Sequence, residues 1–175
     1  MKINLPNLLI VLRIILIPVF LFFYLEGQHV VATAVFLVAA ISDFFDGLLA
    51  RMWNTVSNFG KLMDPLADKM LVSAALIALA YTQELAVWIV VVIICREFWV
   101  TSLRMLALEA GKKVIAASLW GKIKTVLQMV MLVVLVSGLF TDMGILIDVL
   151  VYSAVIATIL SAVEYTRDYK DVFKA

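Results

Sequence analysis

The stretch SDFFDGLLARMWNTVSNFGKLMDPLADKM, residues 42–70, decides the fold, because it places four aspartates between two long apolar runs. These are Asp43, Asp46, Asp64 and Asp68. A carboxylate is costly within a membrane, and such residues usually have a function there. Helix packing gives no reason to keep four of them, so we expect this stretch to carry the chemistry of the protein.

The rest of the chain is strongly apolar. Of its 175 residues 65% are hydrophobic, and its mean hydropathy is +1.11. Soluble domains contain roughly 45–50% apolar residues, so the composition predicts an integral membrane protein. The net charge of +1 gives no indication of a partner, and we expect no nucleic-acid partner. The single cysteine, Cys95, excludes an intrachain disulfide and a cysteine-rich metal site.

Six apolar runs are long enough to cross a bilayer, which takes about 20 residues. They lie near residues 6–25, 30–52, 60–81, 85–107, 119–139 and 144–166. We therefore predict an all-α integral membrane fold with six transmembrane helices, formed by one membrane domain over residues 1–175. A short amphipathic segment, Lys2–Asn7, is expected to lie along the membrane interface before the first helix.

The distribution of basic residues predicts the orientation. The breaks at 26–29, 82–84 and 137–143 contain no lysine or arginine, whereas most of the basic residues fall near the other breaks and the termini. Because lysine and arginine are enriched on the cytoplasmic side, both termini and the aspartate end of the second and third helices should be cytoplasmic. This places the protein in the cell membrane as a multi-pass protein.

Helical spacing brings the aspartates together. Asp43, Asp46, Gly47 and Ala50 follow i, i+3, i+4, i+7 spacing and should share one face of the second helix. Asp64 and Asp68 should share a face of the third helix, which runs antiparallel to the second after a short connection. We therefore expect all four carboxylates to converge at one depth, just inside the cytoplasmic boundary.

Two interpretations of this cluster were compared. Arg51, Lys61 and Lys69 could neutralise one or two aspartates as salt bridges, but four facing carboxylates need more positive charge than nearby side chains supply. Hard oxygen ligands without histidine or cysteine favour Mg²⁺, Mn²⁺ or Ca²⁺ over zinc. Four carboxylates suit two ions, as in sites of phosphoryl-type transfer.

The pattern resembles the signature of a known family, the CDP-alcohol phosphatidyltransferases. The matching positions read Asp43-x2-Asp46-Gly47-x2-Ala50-Arg51-x8-Gly60-x3-Asp64-x3-Asp68, with no departure from the signature. Gly47, Ala50 and Gly60 are also small enough for close helix packing, which is the simpler explanation of each taken alone.

The resemblance implies the ligands and the role of each signature residue. It implies two divalent cations, Mg²⁺ or Mn²⁺, CDP-diacylglycerol as the donor, and a homodimer in the lipid bilayer. By position, Asp43, Asp46 and Asp64 would bind metal, and Asp68 would be both a metal ligand and the general base. The positions that would border the cytidine diphosphate are Asp43, Asp46, Gly47, Ala50, Arg51 and Gly60.

Three further stretches resemble the branch of the family that uses glycerol 3-phosphate as the acceptor: LPNLLIVLRIILIP at 5–18, CREFWVTSLR at 95–104 and GKIKT at 121–125. A phosphorylated acceptor requires a cationic pocket. Arg96 is the strongest candidate, because an arginine deep in an apolar helix is a functional hypothesis by default. A pair with Glu97 is the structural alternative, although adjacent helical residues should not face each other. Arg104, Lys122 and Lys124 could complete the pocket or could anchor helices at the interface.

Two other functions were considered. A synthase of the same family could use inositol phosphate, serine or a second phosphatidylglycerol as the acceptor. A divalent-cation transporter would need a polar path to the outer face, yet residues 34–41 are apolar and residues 70–80 offer only Ser73. The closed outer side favours an enzyme over a transporter.

Overall fold

The computed structural model of the protein describes the backbone of residues 5–53, 58–109, 118–139 and 143–170, and the side chains of residues 8–42, 66–109, 118–139 and 143–170. These residues form six α-helices and no strand: α1 (Leu5–Leu25), α2 (His29–Trp53), α3 (Asn58–Tyr81), α4 (Val87–Glu109), α5 (Leu119–Ser137) and α6 (Gly144–Asp168). The predicted all-α fold is confirmed, and every helix ends within two residues of its predicted bounds.

Three of the described helices are long and apolar enough to cross a membrane: the Leu8–Leu25 part of α1, α5 and α6. In α2 the described side chains form a shorter apolar segment, His29–Ser42, and those of the rest of the helix lie outside the described part of the chain. Helices α3 and α4 are interrupted by charged residues of the aspartate signature and of the CREFWVTSLR stretch.

Large apolar side chains cover much of the surface. Ile15, Phe22, Val38, Ile145 and Val163 are all exposed, and they come from α1, α2 and α6. A soluble protein rarely exposes apolar patches of this extent. Lipid is the solvent that accommodates this surface, in agreement with the predicted integral membrane protein.

The chain forms two compact units, Met1–Glu84 with Val136–Leu139, and Leu85–Leu135 with Phe140–Ala175. In the first unit, α1 packs on α2 and α3, and α2 packs on α3. Aromatic rings fill the contact between the first two helices: the Phe20 ring lies 5.9 Å from Tyr24 and 5.6 Å from Phe36, centroid to centroid. Alanines let the helices approach closely, and five of them are buried: Ala32, Ala39, Ala67, Ala75 and Ala78.

A tight turn joins α1 to α2 in the first unit. Gly27 has a φ of +74°, which is the left-handed conformation that glycine adopts without strain. The amide of Gln28 donates to the carbonyl oxygen of Phe23 (2.9 Å), and this bond closes the end of α1. Residues 5–7 of the predicted interfacial segment belong to α1, and residues 2–4 lie outside the described part of the chain.

In the second unit α4 packs on α6. The buried apolar cluster of this unit contains Val100, Leu103 and Ala107 of α4 together with Tyr165 and Tyr169. The two tyrosine rings stack at 6.3 Å with an interplanar angle of 9°.

Candidate active site

The aspartate stretch is helical on both sides of its central break. Asp43 and Asp46 lie in α2, Asp64 and Asp68 lie in α3, and these two helices are in contact within the first unit. The predicted helical spacing therefore holds for the backbone. The side chain of Asp68 is exposed, whereas those of Asp43, Asp46 and Asp64 lie outside the described side chains.

The remaining signature positions are also helical. Gly47, Ala50 and Arg51 lie in α2, and Gly60 lies in the first turn of α3. Their side-chain surroundings lie outside the described part of the chain, so their predicted contact with cytidine diphosphate stays a prediction.

The donor set of this stretch fits a hard divalent cation. Within residues 42–70 the two contacting helices supply four carboxylates, and this stretch contains neither cysteine nor histidine. Among the described side chains there is no group of three or more potential metal ligands. The side chains of Asp43, Asp46 and Asp64 are not among them, so the predicted metal site stays a prediction.

The basic residues of the second unit form a connected network. The Arg96 Nη1 donates to Glu97 Oε1 at 3.0 Å, and the Lys124 Nζ of α5 forms an ion pair with the same oxygen. The other terminal nitrogen of Arg96 donates to Ser161 Oγ of α6. One carboxylate oxygen thus joins two cations, and one guanidinium joins α4 to α6.

Arg104 belongs to the same network through Tyr165. Arg104 Nη2 donates to the Tyr165 hydroxyl at 2.7 Å, and the Ser118 amide approaches that hydroxyl at 3.4 Å. The guanidinium carbons of Arg96 and Arg104 lie 5.7 Å and 5.1 Å from the centroid of the Tyr165 ring, within cation–π distance. We refer to Arg96, Glu97, Arg104, Lys124, Ser161 and Tyr165 as the Arg96 cluster.

The Arg96 cluster carries more positive than negative charge. The cluster as defined contains three basic groups, Arg96, Arg104 and Lys124, and one carboxylate, Glu97, so its six members carry two more positive than negative charges. The side chains of Arg96 and Lys124 are only 9% and 4% exposed. The Nε atoms of Arg96 and Arg104 have no hydrogen-bond partner within the described part of the chain. Such a site favours an anion that can accept several hydrogen bonds.

The structure places three of the four predicted phosphate-binding residues, Arg96, Arg104 and Lys124, in this cluster, and it leaves Lys122 exposed on α5. The expectation that Arg96 and Glu97 would not pair was wrong. Both side chains are long enough to bend around the helix, and Lys124 on the neighbouring helix draws the carboxylate toward Arg96.

Sequence reasoning missed Ser161 and Tyr165. Both are buried polar residues within the apolar helix α6, and the i, i+4 spacing places them on one face. The signal available in the sequence was a serine and a tyrosine on one face of an apolar helix, because polar groups in a membrane helix usually hydrogen-bond to another helix.

Arg96 also borders an open groove between α4 and α6 with a volume of about 450 Å³. Its walls are mainly apolar and include Val92, Trp99 and Val163. The guanidinium is therefore close to a lipid-facing surface as well as to the polar cluster.

Residues 3–163 match the sequence profile of the CDP-alcohol phosphatidyltransferases, and the chain belongs to this family. The resemblance drawn from the aspartate signature is thereby confirmed. The chain is 40% identical over 97% of its length to the probable phosphatidylglycerophosphate synthase of Mycobacterium tuberculosis (strain H37Rv), and it covers 83% of that protein.

Two other relatives are named CDP-diacylglycerol–glycerol-3-phosphate 3-phosphatidyltransferase. The protein of Haemophilus influenzae is 40% identical over 95% of this chain, which covers 94% of the relative. The protein of Bacillus subtilis is 43% identical over 73% of this chain, which covers 73% of the relative.

Proposed function

We propose that the protein transfers the phosphatidyl group of CDP-diacylglycerol to glycerol 3-phosphate, giving phosphatidylglycerophosphate and CMP. The observation that carries the proposal is the 40% identity, along 97% of the chain, to a relative named as a phosphatidylglycerophosphate synthase. The aspartate signature supports the half of the reaction that uses the donor. The Arg96 cluster supports the half that uses the acceptor.

The charge of the Arg96 cluster fits a phosphorylated acceptor. A phosphate monoester carries a charge of about −1.5 to −2 at neutral pH, and this nearly balances the two excess positive charges of the cluster. Arg96 has five N–H groups, of which those donated to Glu97 and Ser161 are already engaged. Its remaining donors, with Arg104 and Lys124, would bind the phosphate, and exposed Lys122 would attract the anion from solution.

The donor would be held at the aspartate stretch. Asp43, Asp46, Asp64 and Asp68 would bind two divalent cations, Mg²⁺ or Mn²⁺, which when bound would neutralise the diphosphate and stabilise charge on the departing CMP. Gly47, Ala50 and Gly60 would leave room for cytidine diphosphate against the helix backbone, and Arg51 would add a positive charge beside it.

Asp68 is the proposed general base. It would accept the proton of the glycerol 3-phosphate hydroxyl as that oxygen attacks the phosphorus of the phosphatidyl group. The bond from this phosphorus to the CMP oxygen breaks, and CMP leaves with the electron pair. The exposed side chain of Asp68 lies nearest the centre of α3 among the signature residues, and its exposure is compatible with contact to a soluble acceptor.

The membrane arrangement follows from the same residues. We propose six spans within a single membrane domain, so that α2, α3 and α4 also cross the bilayer despite their charged residues. Both termini and the active site would face the cytoplasm of a cell membrane, and two copies of the chain would form a homodimer.

An acceptor panel tests the proposal. The purified protein is incubated with CDP-diacylglycerol and Mg²⁺, and CMP release is measured with glycerol 3-phosphate, inositol phosphate, serine, phosphatidylglycerol or no acceptor. Of these acceptors, we expect only glycerol 3-phosphate to cause CMP release. Faster release with another alcohol would assign a different acceptor, and Mn²⁺ uptake into protein-containing liposomes without any CMP release would favour the transporter instead.

A further inference from the structure

Tyr165 connects both arginines of the Arg96 cluster to the start of α5. Its ring lies within cation–π distance of two guanidinium groups, and its hydroxyl accepts from Arg104 Nη2 at 2.7 Å. The same hydroxyl lies 3.4 Å from the Ser118 amide, immediately before α5 begins. A single buried side chain of α6 thus contacts α4 and the start of α5.

The two arginines need such a partner because their charges repel. An aromatic ring attracts a cation through its negative face, and the attraction is stronger where water is excluded. The ring of Tyr165 is 2% exposed, so it offers both guanidinium groups a stabilising contact that does not consume their hydrogen-bond donors. Donors that stay available can bind an anion.

The surroundings fix the position of Tyr165. Its ring stacks on Tyr169, and a Cβ atom built on Gly121 would lie 3.2 Å from Tyr165 Cε2 and 3.3 Å from its hydroxyl. Ser118 Oγ accepts from the Gly121 amide at 3.0 Å, which holds the first turn of α5 against the hydroxyl. A glycine at position 121 therefore lets the first turn of α5 approach the tyrosine closely.

We propose that Tyr165 is a positioning residue for anion binding: its ring and hydroxyl hold Arg96 and Arg104 side by side, so that one phosphate monoester can bind both. The inference rests on the proposed function in that the phosphate is taken to be that of the acceptor. It adds a determinant of acceptor affinity that the aspartate signature does not contain.

The test compares Tyr165→Phe, which keeps the ring and removes the hydroxyl, with Tyr165→Leu, which removes both. Tyr152→Phe makes the same chemical change at an exposed position of α6 and is the matched control. For Tyr165→Phe we expect the KM for glycerol 3-phosphate to rise about 3- to 10-fold, the ratio that corresponds to one hydrogen bond. The kcat and the KM for CDP-diacylglycerol should stay near those of the unmodified protein, and Tyr165→Leu should raise the acceptor KM further.

Binding of inorganic phosphate, followed by isothermal titration calorimetry without CDP-diacylglycerol, gives a second readout that is independent of catalysis. It should weaken in the order unmodified protein, Tyr165→Phe, Tyr165→Leu. The inference is overturned if phosphate binds the unmodified protein and Tyr165→Phe equally or binds neither, or if kcat and both KM values change together.

The two proposals can fail separately. If the unmodified protein releases no CMP with glycerol 3-phosphate, the proposed function fails, and the phosphate titration alone decides the role of Tyr165. If Tyr165→Leu does not fold, Tyr165→Phe decides, because it keeps the stacked ring.

Discussion

The two compact units hold their helices together in different ways. In the first unit, buried alanines and three aromatic rings fill contacts of α1 with its neighbours, and the Tyr24 hydroxyl hydrogen-bonds to Thr82 just after the end of α3. In the second unit, α4, α5 and α6 are joined by Arg96, Glu97, Lys124 and Tyr165.

This difference indicates where function lies in the second unit. Helices in lipid associate through close packing of small residues or through hydrogen bonds, because the lipid tails are as apolar as leucine. Three basic groups with one carboxylate, of which Lys124 is buried and Arg96 and Arg104 are half-buried, are a costly way to join helices, so we attribute them to anion binding.

The largest expected effect comes from the acidic stretch of the first unit. Asp64→Asn removes a proposed metal ligand and keeps the size of the side chain. We expect kcat/KM for CMP release to fall on the order of 10²- to 10³-fold or more, as when a group that stabilises transition-state charge is removed. EDTA should abolish activity, and Mg²⁺ should restore it.

Asp148→Asn is the matched control, because Asp148 is an exposed carboxylate of α6 outside the signature. It should leave activity unchanged. Thermal unfolding of both variants separates loss of metal from loss of fold. Full activity of Asp64→Asn, or of the unmodified protein in EDTA, would contradict the metal site.

The second effect concerns the cationic network of the second unit. Arg96→Lys keeps the charge and loses the planar fork that joins Glu97 and Ser161 and matches phosphate. We expect the KM for glycerol 3-phosphate to rise about 10- to 150-fold, which corresponds to a charge-assisted hydrogen bond of roughly 1.5–3 kcal/mol. The KM for CDP-diacylglycerol should change little.

Steady-state kinetics with each substrate varied in turn measures this difference. Arg167→Lys makes the same change at an exposed position of α6 and should affect neither KM. If a folded Arg96→Lys protein keeps the acceptor KM, Arg96 is a structural charge, and Arg104, Lys122 and Lys124 remain as the phosphate ligands.

The two units also differ in how far the sequence predicted them. The aspartates lie within 26 consecutive residues, where they form part of a family signature, and the apolar runs around them predicted the helices that carry them. The Arg96 cluster is assembled from residues 96–104, 124 and 161–165. Arg96, Arg104 and Lys124 could be predicted one by one, because a basic residue within an apolar helix is conspicuous.

Their connections could not be predicted, because they depend on how three helices are placed. A pair between Arg96 and Glu97 was not expected, because adjacent residues of a helix do not face each other. That rule does not consider a third charge, here Lys124, from another helix. Ser161 and Tyr165 have no motif, and only the packing of α6 on α4 shows that they meet the arginines. The positions of helices along the sequence can be predicted from hydropathy. Contacts between helices also depend on how each helix is rotated about its axis and how deep it lies in the membrane, which hydropathy does not give.

A third prediction tests the close packing of the first unit. Ala32 is fully buried in α2, whereas Ala34 of the same helix is exposed. Ala32→Leu should lower the free energy of unfolding by about 1–3 kcal/mol, the usual cost of overpacking, and Ala34→Leu should change it little. Chemical unfolding in detergent micelles measures both. Equal stability of the two variants would mean that close packing at Ala32 is not what holds these helices together.

The smallest effect is expected at the hydrogen bond between the Tyr24 hydroxyl and Thr82 Oγ1, 3.0 Å long, in the first unit. Thr82 Oγ1 also lies 3.2 Å from the Ala78 carbonyl oxygen, to which it can donate, so Tyr24→Phe leaves the threonine with a partner. The variant should lose about 0.6 kcal/mol of stability, the average for hydrogen bonds between membrane helices.

Tyr81→Phe, at a position that is 77% exposed, is the control and should lose less. The KM for glycerol 3-phosphate should differ between Tyr24→Phe and Tyr165→Phe. Both remove a buried hydroxyl that joins two helices, but only the second hydroxyl contacts an arginine of the Arg96 cluster. Tyr24→Phe should therefore leave the KM for glycerol 3-phosphate unchanged. If Tyr24→Phe raised this KM as much as is expected for Tyr165→Phe, removal of a hydrogen bond outside the Arg96 cluster would be enough to disturb acceptor binding. The effect of Tyr165→Phe would then not be specific to the Arg96 cluster.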